Sequence, residues 1–433
     1  MCQSDPATPP EDGESTIKHS RSWLDAIGPG ILVAATGVGA GDLAGGALAG
    51  ARLKLTVLWV CLVGAALKYV LCEGLARWQL STGTSVADGV FKSTHPVVRF
   101  GFLLYVAAWS FCIGGMLMSA CGECAQAILP IGEPSFGRII HGIAHSLVAI
   151  FLVRLGGFRL FERMMTVCIG VMFFTVVLVA ALSAPDWAEV MRGLLIPSVP
   201  HADGNGVAWT LTLMAGVGGT LTMLCYGSWI REKGRVDISA MRDCRIDLAA
   251  GYLMTAGFGV CMVILGSRLP IDQGLRGANL ITQISIDMQQ QLGEFGMAAG
   301  WMFRIGAWGA VFSSLLGVWQ SVPELICEML PESETASATR NDQLPDRRRR
   351  YNTVQLLLGI VPAFCLPFSL ANVQLVAGVT GALFLPMFAL ALLLLGYTAS
   401  GKQSGFRNGP LSTGVLTISL LLFGFLAVQR FLT

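Results

Sequence analysis

Thr36-Gly37-Val38-Gly39-Ala40-Gly41-Asp42-Leu43-Ala44-Gly45-Gly46 lies inside an apolar run over residues 27–49. At about 1.5 Å rise per residue that run is long enough to cross a bilayer. Five glycines among these eleven residues oppose a continuous helix. Each costs roughly 1 kcal/mol against alanine in a helix interior. Asp42 sits among them, and a carboxylate at mid-membrane depth costs at least ~2.5 kcal/mol on insertion scales. Non-helical backbone at that depth persists only where protein or a watery cavity covers it. The stretch therefore predicts a helix broken around a buried site, as in secondary transporters.

The surrounding composition fits a membrane. Of 433 residues, 54% are hydrophobic and 13% charged, against about 25% charged in soluble domains. This indicates an all-α polytopic membrane protein. The net charge of +2 gives no reason to expect a nucleic-acid partner. The cysteines fall mostly inside apolar runs without a repeating spacing, as small buried residues do. Residues 1–22 are polar, with Pro6, Pro9 and Pro10, and read as a disordered tail.

Apolar runs predict about eleven spans, over 27–49, 55–78, 98–129, 136–153, 160–182, 207–230, 244–266, 295–326, 353–370, 373–396 and 411–428. With the N-terminus inside, the connections place 20 Lys and Arg on the inner side and 7 on the outer. That asymmetry orients the chain N-terminus in, as for a bacterial inner membrane. The longest inner loop is 331–350, ending in four arginines. The outer connections 185–206 and 270–294 carry mixed charge and are placed to cap an entrance. Gly216-Val217-Gly218 in the sixth span echoes Gly37-Val38-Gly39 in the first. Five spans separate the copies, so the second runs inverted, the sequence mark of an inverted repeat with its site at the interface.

Several further segments resemble the Nramp family of divalent metal transporters, most closely its divergent Nramp-related branch. They are Gly28-Pro29-Gly30-Ile31-Leu32-Val33-Ala34, Glu73-Gly74-Leu75-Ala76-Arg77, Thr82-Gly83-Thr84, Phe312-Ser313-Ser314-Leu315-Leu316-Gly317, Val361-Pro362-Ala363 and Leu385-Pro386. The resemblance implies a LeuT-type fold: two inverted five-helix repeats, discontinuous helices 1 and 6, and a trailing helix. The implied units are 23–184 and 207–398, followed by an eleventh helix with its connection over 399–433.

The departures from that family bear on the cargo. Its Asp-Pro-Gly-Asn motif falls on Gly39-Ala40-Gly41-Asp42, so the carboxylate has moved three residues. Its Met-Pro-His falls on Thr222-Met223-Leu224, which replaces a thioether by a hydroxyl unless a one-residue slip lets Met223 serve. Its backbone carbonyl ligand falls on Gly219, and a tenth-helix glutamine on Gly378. Its Asp-Leu-Ala-Glu falls on Ala120-Cys121-Gly122-Glu123, keeping the glutamate alone. The resemblance thus implies a site of Asp42, Gly39, Gly219, Thr222 and Met223. With little soft donor left, oxygen ligands point to hydrated Mg²⁺ or Mn²⁺ ahead of Fe²⁺ as the transported substrate. No resident cofactor and no obligate protein partner are expected beside the lipid bilayer.

Other polar residues inside spans each have a structural and a functional reading. Glu123 reads as a proton or ion relay, or as a protonated acid bonded within the bundle. Glu73 and Arg77 form an i, i+4 pair that reads as a structural ion pair, an inner gate or part of a relay. Lys68, deeper in the second span, reads as snorkelling or ion-paired. Arg304 reads as an outer gate. His141 and His145 have i, i+4 spacing without a third ligand. A nucleotide-binding loop and a catalytic-triad spacing are both missing from the sequence, so transport rather than enzymology is expected. The competing reading on the same architecture is an organic-solute carrier, for an amino acid or amine.

Overall fold

The computed structural model describes residues 28–200, 206–269, 278–330 and 340–432, and the tail over 1–22 lies outside them. The described elements are helices: α1 (Pro29–Gly37), α2 (Ala40–Leu53), α3 (Leu58–Thr82), α4 (Val86–Ser93), α5 (Pro96–Ile128), α6 (Pro134–Leu182), α7 (Trp187–Leu195), α8 (Gly206–Gly216), α9 (Tyr226–Glu232), α10 (Met241–Gly266), α11 (Ala278–Gln291), α12 (Gly296–Met329), α13 (Arg340–Ile360), α14 (Leu370–Leu395), α15 (Ala399–Ser404) and α16 (Pro410–Leu432). Short 3₁₀ turns link several of them. α6 is two helices joined at Gly157, whose φ of 57° and ψ of −166° break the helix. Counting α1–α2 and α8–α9 as interrupted passes and α6 as two, helices stand at all eleven expected spans, and eight among the described residues are long and apolar enough to cross a membrane.

Local chemistry sets many boundaries. Pro29, Pro96 and Pro134 open α1, α5 and α6, where a missing N–H costs nothing. Ser85, Asp186, Ser369 and Thr398 cap α4, α7, α14 and α15 by accepting backbone N–H groups. Large apolar side chains on the outer helices stay exposed: Leu147, Phe151 and Phe174 on α6, Leu253 on α10, Leu421 on α16. They form the surface that lipid covers.

Three expectations need correction. The connection over 331–350 is helical from Arg340, while 331–339 lie outside the described residues. The ninth pass does not run to Leu370: it ends in a 3₁₀ turn at Val361–Cys365, because Pro362 has no N–H for the helix ladder, and Ser369 then caps a new helix. The connections over 185–206 and 270–294 are not plain loops but hold α7 and α11.

The first pass lies at the centre, packed on α10 and α12. Its seam with α10 is backbone against backbone. A Cβ on Gly30 would stand 2.1 Å from the Asp247 carbonyl oxygen, and one on Gly251 would stand 2.2 Å from the Gly30 oxygen. Small residues let membrane helices approach this closely, and dispersion between the backbones holds them.

Candidate functional site

Both central interruptions are present, and they touch. α1 stops at Gly37; Val38 (φ −81°, ψ 79°) and extended Gly39 (φ −126°, ψ −150°) separate it from α2. The freed carbonyls of Ala35 and Val38 accept bonds from α12. Ser313 Oγ reaches Ala35 at 3.1 Å, and Ser314 Oγ reaches Ala35 at 3.1 Å and Val38 at 3.3 Å. These bonds give the Phe312-Ser313-Ser314 segment its role: two hydroxyls satisfy main chain that helix 1 has released. In the sixth pass, α8 ends at Gly216, and Gly218 and Gly219 follow at φ 85° and 77°. Only glycine adopts two such conformations in a row without steric cost. The chain then makes a 3₁₀ turn, Leu221–Cys225, before α9. A Cβ on Gly37 would lie 2.7 Å from the Gly218 carbonyl carbon, so the breaks meet at bare main chain.

Asp42 stands in the first turn of α2, 4% exposed. The positive end of a helix dipole favours a carboxylate there. Its Oδ2 accepts a long bond, 3.4 Å, from the Gly218 N–H of the other break. Its Oδ1 is buried without a hydrogen-bond partner. A buried carboxylate oxygen with no donor calls for a proton, a water or a cation. Beside it, Gly41 and Gly45 face open space, with no atom within 4 Å of where a Cβ would stand.

Lys68 departs from its sequence expectation. It neither snorkels nor makes a contact ion pair. Its side chain is fully buried, and Nζ donates to the carbonyls of Ala215 at 2.7 Å, Gly219 at 2.8 Å and Val217. An ammonium has three N–H donors, and all three are used. The Val217 carbonyl and the Gly218 N–H belong to one trans peptide, so they point in opposite directions. Lys68 and Asp42 thus grip opposite ends of the same peptide group, each at the end whose partial charge suits it. The sequence signal was present: a lone lysine far inside an apolar span, with no carboxylate at helical spacing.

The other predicted residues take these places. Gly39 is the extended N-cap of α2, where a Cβ would strike Ser314 Oγ at 2.5 Å. Gly219 offers its carbonyl, but to Lys68. Thr222 lies beside Gly219, where a Cβ would stand 2.9 Å from Thr222 Oγ1. Met223 is fully buried in the core. Gly378 faces open space.

Glu123 is buried on α5, and its Oε2 has no partner. Glu73 pairs with Arg77 at 3.2 Å and with Arg245 at 2.8 Å. Arg77 also reaches Asn408 at 2.7 Å. Arg304 ties α12 to Ser285 of α11 at 2.9 Å and to the Ala127 carbonyl at 3.3 Å. The histidine pair is committed elsewhere: His141 meets the Leu129 carbonyl, and His145 accepts from Trp308. Among the described residues no three His, Cys, Asp or Glu side chains converge.

A second cluster, which no sequence pattern announces, holds the start of helix 1. Asp247 of α10 is fully buried. It accepts from the Gly28 N–H at 2.8 Å, the Tyr226 hydroxyl at 3.1 Å and Arg235 at 3.0 Å. Nearby, Lys233 pairs with Glu162 at 2.6 Å. Helix 1, the second half of helix 6, the following turn and α10 are thereby clasped at one end of the bundle.

The family profile described as Natural resistance-associated macrophage protein-like matches residues 30–433. The chain belongs to the Nramp family. Among its relatives is the divalent metal cation transporter MntH of Levilactobacillus brevis, 27% identical over 58% of this chain and 55% of that protein. The alignments span about half the length of the curated relatives. The Eremococcus coleocola manganese transporter, solved with an aromatic bis-isothiourea substituted compound, superposes with a TM-score of 0.70 at 17% identity, covering 94% of this chain and 87% of that one. MhsT in complex with L-phenylalanine superposes at 0.56 and 16%, covering 92% and 98%. These likenesses give the Nramp chain its fold, the LeuT-type inverted repeat in an integral membrane protein.

Proposed function

We propose that this protein is a secondary transporter that carries a divalent cation, Mg²⁺ or Mn²⁺ ahead of Fe²⁺, by alternating access with Asp42 as the cargo carboxylate. One observation carries the reading. Asp42 Oδ1 is buried without a partner, at the place where two interrupted helices meet. Family membership and the relatives' divalent metal transport support the cargo class. The Asp42 carboxylate and the main-chain carbonyls of the break are oxygen donors, which favour a hard ion that keeps part of its water shell. The clasp on Gly28 is read as the closed inner gate of a chain with its N-terminus in the cytoplasm of a bacterial cell. Residues 23–184 and 207–398 are read as the two rocking units, and protons as a candidate driving ion through Glu123 and Glu73.

The test is Mn²⁺ and Mg²⁺ uptake into proteoliposomes by the wild type and by Asp42→Asn. Loss of at least about tenfold in the variant, equivalent to ~1.4 kcal/mol, is expected. Equal uptake by the two removes Asp42 from the cargo site. A second reading, an organic-amine carrier, is supported by the ammonium of Lys68 already resting on the helix-6 carbonyls. It predicts uptake blocked by amines or amino acids and indifferent to divalent ions.

A further inference from the structure

The carbonyls of Ala215, Val217 and Gly219 converge on a single nitrogen. In an α-helix successive carbonyls follow the axis and never meet at a point. Here the left-handed glycines turn alternate carbonyls to one side, which makes an oxygen cradle for a positive charge. Three main-chain oxygens around one centre are the kind of donor set that hard cations take in proteins. The occupant is Lys68, reaching in on four methylenes from α3.

We propose that Lys68 is a tethered resident cation of this cradle. A transported divalent ion gains the helix-6 carbonyls only when the ammonium withdraws, so Lys68 sets the affinity and timing of cargo loading. The inference rests on the reading of Asp42 as the cargo carboxylate and adds the competitor for the other half of the site.

Two arguments exclude joint occupancy. An ion bonded to all three carbonyls would take the centre that the nitrogen now holds, 2.7 Å from the Ala215 oxygen and 2.8 Å from that of Gly219. An ammonium and a divalent ion a few ångströms apart also repel strongly where water is scarce. Asp42 faces the other way: its second oxygen is free to take a ligand while Lys68 stays in place. Loading is therefore ordered. The ion first meets Asp42 and then displaces the tether, which releases α3 from the sixth pass. Lys68 is a positioning and specificity-determining residue that need not touch the cargo.

The experiment uses the full chain in lipid nanodiscs. Mn²⁺ and Mg²⁺ binding is measured by calorimetry for wild type, Lys68→Met, Lys68→Gln, Asp42→Asn and Lys68→Met with Asp42→Asn, with melting midpoints as the check of folding. Lys68→Met is expected to bind Mn²⁺ about tenfold tighter than wild type or more, in the range of ordinary site coupling. Lys68→Gln, whose amide still donates to carbonyls, falls between. Asp42→Asn removes binding in both backgrounds. A folded Lys68→Met or Lys68→Gln that binds no tighter, while Asp42→Asn still abolishes binding, overturns the tether and leaves the Asp42 reading standing. Binding that survives Asp42→Asn overturns both. If neither Lys68 variant folds, the wild type decides. An amine-reactive reagent, read by mass spectrometry, should modify Lys68 several-fold more with saturating Mn²⁺ than without. Equal modification overturns the proposal.

Discussion

The clasp at Asp247 yields a prediction whose size follows from its geometry. The carboxylate is fully buried and accepts from a backbone N–H, a tyrosine hydroxyl and Arg235, whose side chain is 8% exposed. Asp247→Asn keeps the shape and removes the charge that balances Arg235. Breaking a buried ion pair from one side costs about 3–5 kcal/mol. Arg235→Met strands the carboxylate instead, although Gly28 and Tyr226 still donate to it, so its cost lies near the lower end of that range. The double variant removes both charges of the pair. Its cost should fall short of the sum of the singles by roughly 2–3 kcal/mol, the upper range for groups in contact. In a chain of this length each kcal/mol moves a melting midpoint by about 2 °C or less. The single variants should thus melt roughly 5–10 °C below wild type, and the double variant should fall by clearly less than the two single shifts added together. Cys244, buried beside Arg235 with its Sγ 3.9 Å from Nη1, is a native reporter of local opening. Its alkylation should quicken in Asp247→Asn before global unfolding. Additive midpoints, or single variants within about a degree of wild type, would refute the claim that this pair holds helix 1 in place.

Glycine positions test the central seam. Gly30→Ala drives a methyl to 2.1 Å from the Asp247 carbonyl and should destabilise by about 1–3 kcal/mol or more, lowering the melting midpoint and the yield of monodisperse protein. Gly41→Ala meets nothing within 4 Å and should be neutral or stabilising by up to ~1 kcal/mol in the same assay. A reversed ranking would mean that α1 and α10 do not pack as described. Glu123→Gln should leave Mn²⁺ binding unchanged, since nothing places Glu123 beside Asp42, and should reduce the proton movement that accompanies uptake. A pH-sensitive dye inside proteoliposomes reads the second effect, and an unchanged proton trace removes Glu123 from the proton route.

The sequence alone determined the membrane class, the eleven passes, the two interruptions and the family. These properties are written locally. Hydropathy runs mark the spans, glycine clusters mark where a helix ladder fails, and one carboxylate among them marks where a charge is tolerated. Errors fell where local patterns compete. The run over 353–370 looked continuous, yet Pro362 ends one helix and Ser369 starts another. Arg340–Ile360 opens with charges, so hydropathy marks its first turns as loop although they are helical. Tertiary structure alone decided what the buried charges do. Lys68 meets carbonyls 147 to 151 residues away, Asp42 meets an N–H 176 residues away, and Asp247 closes on Gly28 across 219. Every residue carries the same carbonyl, and all but proline the same N–H, so no side-chain pattern announces which of them a broken helix will leave free. Only the meeting of the two breaks selects them, and with them the site.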